Sequence, residues 1–252
     1  MKVDILASGS GGNCIAITVG EKTILIDAGI AKTKIEKALL NVNIRPDQVE
    51  ALFITHAHGD HVKGLPLASK YNVPVYATEG EWKSIQNVND DLKCLIFKER
   101  ERYESHMFDM GEIAVIPFAV HHDAYEPVGY KVLAGNRQIS ICLDTGIVDD
   151  NMLAAMSDSD IYIMEANHEP RMVEASSYPN SVKARVLSHI GHLSNQQTAE
   201  TLARLVNGKG ERIYLVHLSS KNNLPALAEM TVKRELLKKG FTAGKHYELE
   251  VV

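Results

Sequence analysis

Thr55-His56-Ala57-His58-Gly59-Asp60-His61 gathers three histidines and a carboxylate into six consecutive residues, His56 to His61. Imidazole nitrogens and carboxylate oxygens are the ligands of zinc and of harder divalent ions, so the density alone points to a metal site. The preceding Ala51-Leu52-Phe53-Ile54 is a short apolar run rich in strand formers. It reads as a buried strand that delivers the histidines to a loop at its end. Gly59 is expected to let that loop bend, and the chain from Val62, with Leu65, Leu67 and Ala68 at helical spacing, reads as a helix opening beside the site. Such a turn can aim His56 and His58 at one ion while Asp60 and His61 face another.

The 252-residue chain has room for a large core, with 45% hydrophobic residues, and is expected to form one domain over residues 1–252. Cys14, Cys94 and Cys142 show no paired spacing, which excludes a disulfide framework and fits a reducing compartment. The opening Met1-Lys2-Val3-Asp4-Ile5-Leu6 lacks the long apolar stretch of a signal peptide, and no apolar run reaches the roughly 18 residues of a membrane span. A soluble, cytoplasmic protein without membrane association is expected. A net charge of −5 excludes non-specific charge as the means of gripping nucleic acid. A phosphate-bearing substrate must be held locally.

Outward from the histidines, polar residues recur where strands end. Val3 to Leu6 reads as a strand, followed by Ser8-Gly9-Ser10-Gly11-Gly12-Asn13. That glycine-rich loop is either a phosphate cradle or a tight turn between strands, and it lacks the Lys-Ser/Thr ending of a P-loop. Cys14–Val19 and Thr23–Ile26 form a hairpin ending at Asp27, which is either an ordinary strand-end residue or a carboxylate that steadies the metal loop through a hydrogen bond. Thr33-Lys34-Ile35-Glu36 has capping-box spacing and opens a helix with Ile35, Ala38, Leu39 and Val42 on one face. Val73–Ala77 reads as a strand and Trp82 as a helical aromatic, and the charged stretch 90–105 carries no chemistry. The apolar run Ile113–Val120 leads to His121-His122-Asp123, Gln138–Leu143 to Asp144, Ile161–Met164 to Glu165, and Ile213–Val216 to His217. Ser194-Asn195-Gln196-Gln197 caps a helix just after His192, and Pro225–Lys239 forms another before a closing strand at Tyr247–Val251. Asp27, His56, His122, Asp144, Glu165 and His217 thus share one topological place. Strands in two runs, each followed by helices, give an α/β (α+β) sandwich of two sheets with helices on both outer faces.

The H-x-H-x-D-H motif resembles that of the metallo-β-lactamase-fold hydrolases. The resemblance narrows with S-G-S-G-G-N-C from Ser8, I-D-A-G from Ile26, T-H-A-H-G-D-H-V-K-G-L from Thr55 and H-D-A-Y-E-P-V-G-Y from His122. D-T-G from Asp144, E-A-N-H from Glu165, G-H-L-S-N from Gly191 and H-L-S-S-K-N-N from His217 extend it over nearly the whole chain. The sequence is similar to the YycJ/WalJ family, and more distantly to tRNA 3'-processing endonucleases, whose long substrate-clamping arm has no counterpart here. The resemblance implies a four-layer αββα fold and a nuclease-type phosphodiesterase. It also implies two divalent ions: one on His56, His58 and His122, a second on Asp60, His61 and His217, with Asp144 between them. Asp27 matches the family's orienting acid, and Glu165 and His192 match a proton-donating pair. His121, outside the H-D-A-x-x-P-x-G-Y pattern, is assigned to packing, and His168 to a structural or substrate-side contact.

The expected chemistry is two-metal phosphodiester hydrolysis, in which paired ions generate a bridging hydroxide near neutral pH and clamp a phosphate oxygen. Asp60 joins Glu165 and His192 in the catalytic set, His192 protonating the leaving oxygen. Arg185 and Asn222 are candidate phosphate contacts, with Lys63 and Lys183 behind them, while Asn223 is expected to cap the following helix. Zinc or manganese suits these N/O donors, and iron is possible. DNA exonuclease action is the favoured activity, with DNA as the partner and no obligate protein partner. The alternatives are hydrolysis of a small phosphodiester, ester or thioester, or a non-catalytic regulatory role on a retained fold. Asp144 stands where β-lactamases with a second zinc typically carry cysteine, and Ala57 and Gly59 stand where the oxygen-reducing di-iron relatives carry an acid.

Overall fold

The computed structural model describes residues 1–96 and 108–252. The Lys98–Glu104 part of the charged stretch therefore lies outside the described residues. The chain forms a mixed α/β structure with two sheets and divides into two compact units, residues 1–117 with 124–128, and residues 118–123 with 129–252.

The first unit holds a sheet of six strands in sequence order: β1 (Lys2–Ala7), β2 (Cys14–Val19), β3 (Lys22–Ile26), β4 (Val49–Phe53), β5 (Val75–Thr78) and β6 (Lys93–Ile96). The first three run as an antiparallel meander, and β3 through β6 pair in parallel. Parallel neighbours bring their C-terminal ends to one edge, so Asp27 after β3 and the histidines after β4 become neighbours. Helix α1 (Lys32–Asn41) covers this sheet with Ile35 and Leu39 buried among Leu25, Leu52 and Ile54. It does not start on the Thr33 capping box. Ala31 is its N-cap, because the Ala31 carbonyl already accepts from Lys34 and Ile35, and Thr33 lies inside the first turn without a capping bond.

The helix expected from Val62 is likewise two pieces, α2 (Gly59–Val62) and α3 (Pro66–Tyr71). Pro66 has no N–H to continue the first and is preorganised to start the second. Gly59 does not provide the bend: its φ is not positive and an added Cβ would meet nothing within 4 Å. The glycine that the site requires is Gly29, where a Cβ would sit 1.7 Å from the Asp60 carbonyl oxygen. Trp82 ends the short helix α4 (Glu79–Trp82) and donates to the Cys94 carbonyl (3.1 Å). The short β7 (Phe108–Asp109) pairs antiparallel with β8 (Ala114–Ala119), whose last two residues open the second unit.

In the second unit β9 (Val128–Ala134, its first residue belonging to the first unit) and β10 (Arg137–Cys142) form a hairpin, and β10, β11 (Ile161–Glu165), β12 (Glu211–Val216) and β13 (Tyr247–Val251) are parallel in that order. Their helices are α5 (Asp150–Met156), α6 (Pro170–Ala175), α7 (Asn180–Val186), α8 (Asn195–Leu205) and α9 (Pro225–Lys238). Helix α8 starts where the sequence places it. Ser194 Oγ accepts from the Gln197 N–H and the Gln197 side chain accepts from the Ser194 N–H, a reciprocal cap. Thr198, Ala199, Leu202 and Leu205 then turn inward, joining Leu215, Val232 and Tyr247 in the core. Asn223 does not cap α9, whose N-cap is Leu224. Its amide exchanges two 2.8 Å hydrogen bonds with Asn195 and donates to the Ala166 carbonyl, tying three segments together.

Candidate active site

In the first unit the histidine turn is built around a buried carboxylate. Asp27 Oδ1 accepts from the Thr55 N–H (2.8 Å), and Oδ2 accepts from the Thr55 hydroxyl (2.9 Å) and from His61 Nδ1 (2.7 Å). An ionised carboxylate only accepts, so the His61 proton sits on Nδ1 and Nε2 keeps its lone pair, the form that ligates a metal. Because the Thr55 hydroxyl spends its proton on Asp27, it can accept from His56 Nδ1 at 3.1 Å. The His56 ring lies 4.5 Å from the His58 ring and 4.0 Å from the His61 ring, centroid to centroid. Asp60 Oδ2 is 3.8 Å from His61 Nε2. Asp27 thus gathers three hydrogen bonds on one buried carboxylate, from the Thr55 N–H, the Thr55 hydroxyl and His61 Nδ1.

Glu81, which the sequence reading did not single out, completes this turn together with Glu126 and Asn13. Glu81, 1% exposed, accepts from the Ala57 N–H through Oε2 and from the Glu126 N–H through Oε1, each at 2.7 Å. Glu126 returns the exchange, accepting from the Gly80 N–H (2.7 Å), while its carbonyl accepts from the Thr78 hydroxyl (3.0 Å). Asn13 places Nδ2 3.2 Å from His61 Nε2, and its N–H donates to the Asp60 carbonyl. The glycine-rich loop is a turn and not a phosphate cradle at Gly9, Gly12 and Asn13. These N–H groups are spent on Asn13 Oδ1, the Gly9 carbonyl and the Asp60 carbonyl.

In the second unit Asp144, Glu165, His192 and His217 present ligand-type atoms that all lie within 4.8 Å of one another. They come from the ends of β10, β11 and β12 and from the position two residues before the α8 cap Ser194. Glu165 is fully buried; Oε1 accepts from the N–H groups of Thr145 (2.7 Å) and Leu193 (3.2 Å), and Oε2 from His192 Nδ1 (3.0 Å). Burial works to raise this carboxyl, but the His192 charge and hydrogen bonds from His192 and His217 outweigh it, so it is held below the usual range. Burial works to lower His192, and the Glu165 charge and hydrogen bond overcome it, so this imidazole is raised. His217 Nδ1 contacts Asp144 Oδ1 and lies 3.4 Å from Glu165 Oε2. His122 Nδ1 donates to the Gly191 carbonyl (3.0 Å), leaving Nε2 3.7 Å from Asp144 Oδ2. Burial lowers its pKa, partly offset by Asp144, which favours the neutral ligating form.

Asp27, Asp144 and His217 all have left-handed backbone, with φ of 60°, 46° and 55°. Non-glycine residues pay for that conformation, and such strain concentrates at functional positions. Of the other candidates, His121 turns away to Asp149 (2.8 Å), and Arg185 is spent on Asp123 in a two-pronged ion pair. Lys183 donates to the Glu174 carbonyl and Lys63 is exposed on the surface. Asn222 is buried, its carbonyl accepting from the Glu169 N–H (2.9 Å). His168 is 1% exposed and bridges to Ser194, and burial pushes its imidazole down to about 4. All three cysteines are free thiols.

These donors fit divalent metal ions. His61 and His122 each direct one ring nitrogen into a carboxylate or backbone carbonyl, the support that sets tautomer and aim in metal-binding histidines.

The Beta-lactamase superfamily domain model matches residues 22–218. Exodeoxyribonuclease YycJ of Bacillus anthracis is 36% identical over 97% of this chain and 92% of its own length. This chain belongs to the YycJ/WalJ family of the β-lactamase superfamily. A second member, exodeoxyribonuclease WalJ of Streptococcus pneumoniae strain D39, is 35% identical over 98% of this chain and 93% of that one. The crystal structure of the metallo-β-lactamase fold protein YhfI from Bacillus subtilis shares the fold, with a TM-score of 0.73 at 14% identity over 99% of this chain and 95% of that one. Among the described residues no helix is long and apolar enough to cross a membrane.

Proposed function

We propose that this YycJ/WalJ family member is a cytoplasmic, metal-dependent phosphodiesterase acting as a DNA exonuclease. The observation that carries the proposal is the Glu165–His192 pair. A fully buried carboxylate, fixed by two backbone N–H groups, holds an imidazole of raised pKa beside Asp144 and His217. His192 so held is placed to give a proton to the leaving oxygen, while Glu165 keeps the ring aimed. The full-length similarity to two proteins named exodeoxyribonucleases supports DNA as substrate.

As the resemblance implies, His56, His58, Asp60 and His61 of the first unit and His122, Asp144 and His217 of the second would serve as ligands to divalent ions. Zinc and manganese suit these donors best, and iron is compatible. Bound there, such ions supply Lewis-acid polarisation of the phosphate and acidification of water. Asp27 and the Gly191 carbonyl orient His61 and His122 for that task.

The test is nucleotide release from 5'-labelled and 3'-labelled single- and double-stranded DNA and matched RNA, after loading zinc or manganese, beside the Asp60→Ala protein. Metal-dependent release from DNA that the variant lacks is the expected result, and the label lost first gives the polarity. Two bound ions with no cleavage of any strand would overturn the nuclease reading in favour of a small phosphodiester or ester.

A further inference from the structure

Tyr125 is 68% exposed, the highest value for any large apolar or aromatic side chain among the described residues. The backbone beside it is nevertheless pinned. Glu126 is held through its N–H, its carbonyl and its carboxylate, and the Val128 N–H donates to the Thr55 carbonyl (3.0 Å). The pins reach the histidine turn itself. The N–H groups of Ala57 and Glu126 are each 2.7 Å from oxygens of the Glu81 carboxylate, which puts their nitrogens at most about 8 Å apart. The Tyr125 ring thus stands in solvent on a backbone whose next residue is an anchor shared with His56-Ala57-His58, three residues along the chain from His122.

A ring with two rotatable bonds on a preorganised backbone loses little freedom when something stacks on it. Arg185 is paired with Asp123, and the net charge is −5, so attraction to phosphates alone is weak. Recognition of a strand must draw on its bases, and stacking on an aromatic ring is the sequence-tolerant way to do so. We propose that Tyr125 is a nucleobase-stacking residue that receives one base of the substrate strand beside the histidine turn. The inference rests on the nuclease reading and adds the part of the substrate that is held.

The test measures binding of a fluorescent five-residue thymidine oligodeoxynucleotide and of an abasic oligomer with the same phosphates. It uses the full, zinc-loaded chain carrying His192→Ala to prevent turnover. With Tyr125 present, the thymidine strand is expected to bind about tenfold or more tightly than the abasic one. Tyr125→Ala should abolish that preference without changing affinity for the abasic oligomer, which reports an intact fold, and Tyr125→Phe should keep the preference. An undiminished preference in Tyr125→Ala would overturn the stacking role and leave the nuclease reading standing. Equal binding of the two oligomers with Tyr125 present would overturn the stacking role, and failure of the wild-type protein to bind or cleave any DNA or RNA strand would overturn both.

Discussion

The two units hold their candidate residues by opposite constructions. In the first, four candidate ligands arrive on one turn of chain, and the carboxylates that support them, Asp27 and Glu81, lie behind it on other segments. In the second, His122, Asp144, Glu165, His192 and His217 come from separate segments, and Glu165 accepts from His192 and from the Thr145 and Leu193 N–H groups and lies 3.4 Å from His217 Nδ1. The first arrangement gathers its candidates locally and the second draws them from distant segments around a buried carboxylate, so changes in the two should damage different steps.

The largest effect separates them directly. Asp60→Ala in the first unit should remove metal-dependent turnover altogether, whereas His192→Ala in the second should keep the full metal content and lose about 10²–10⁴ in rate. Metal analysis beside turnover checks both, and loss of metal from His192→Ala would erase the contrast. Next, Asp27→Asn should weaken metal binding about 10–100-fold while the protein still folds, because asparagine accepts a left-handed backbone. Chelator competition measures it; unchanged affinity would mean that His61 needs no acid behind it.

A smaller effect concerns acid. His61 has Asp27 as partner, but His168 in the second unit is buried with its pKa pushed down to about 4. Since the unfolded chain binds its proton near 6.5, the unfolded state holds more protons between those values. Stability should therefore fall as pH drops from about 6.5 towards 4, by about 2 kcal/mol at pH 5 from this residue alone. Urea unfolding of the wild type and His168→Gln at both pH values should show a shallower acid loss in the variant. Smallest, Ser194→Ala should cost about 1 kcal/mol through the α8 cap, read from the same unfolding midpoint.

The same contrast explains what the sequence disclosed. His56 to His61 were legible because ligand chemistry and strand context coincide within a few residues, and Asp144, Glu165 and His217 because each follows an apolar strand. Ser194 and Gln197 were legible as a cap because both partners lie within one turn. Glu81 was not, since a glutamate in Thr-Glu-Gly-Glu-Trp looks like a solvated charge until the fold brings Ala57 and Glu126 to it from 24 and 45 residues away. Arg185 read as a phosphate contact because its partner, Asp123, is 62 residues distant. The capping box at Thr33 failed for the reverse reason: the local pattern was present, but the preceding Ala31 carbonyl had already started the helix.

The return of residues 124–128 to the first unit sets an order of events during synthesis. At roughly 5–20 residues per second, the first 117 residues are joined before the segment that satisfies Glu81 and the Thr55 carbonyl exists as peptide. The histidine turn is translated early and locked late. A nascent chain stalled before residue 126 would carry every histidine of that turn without its final fastening.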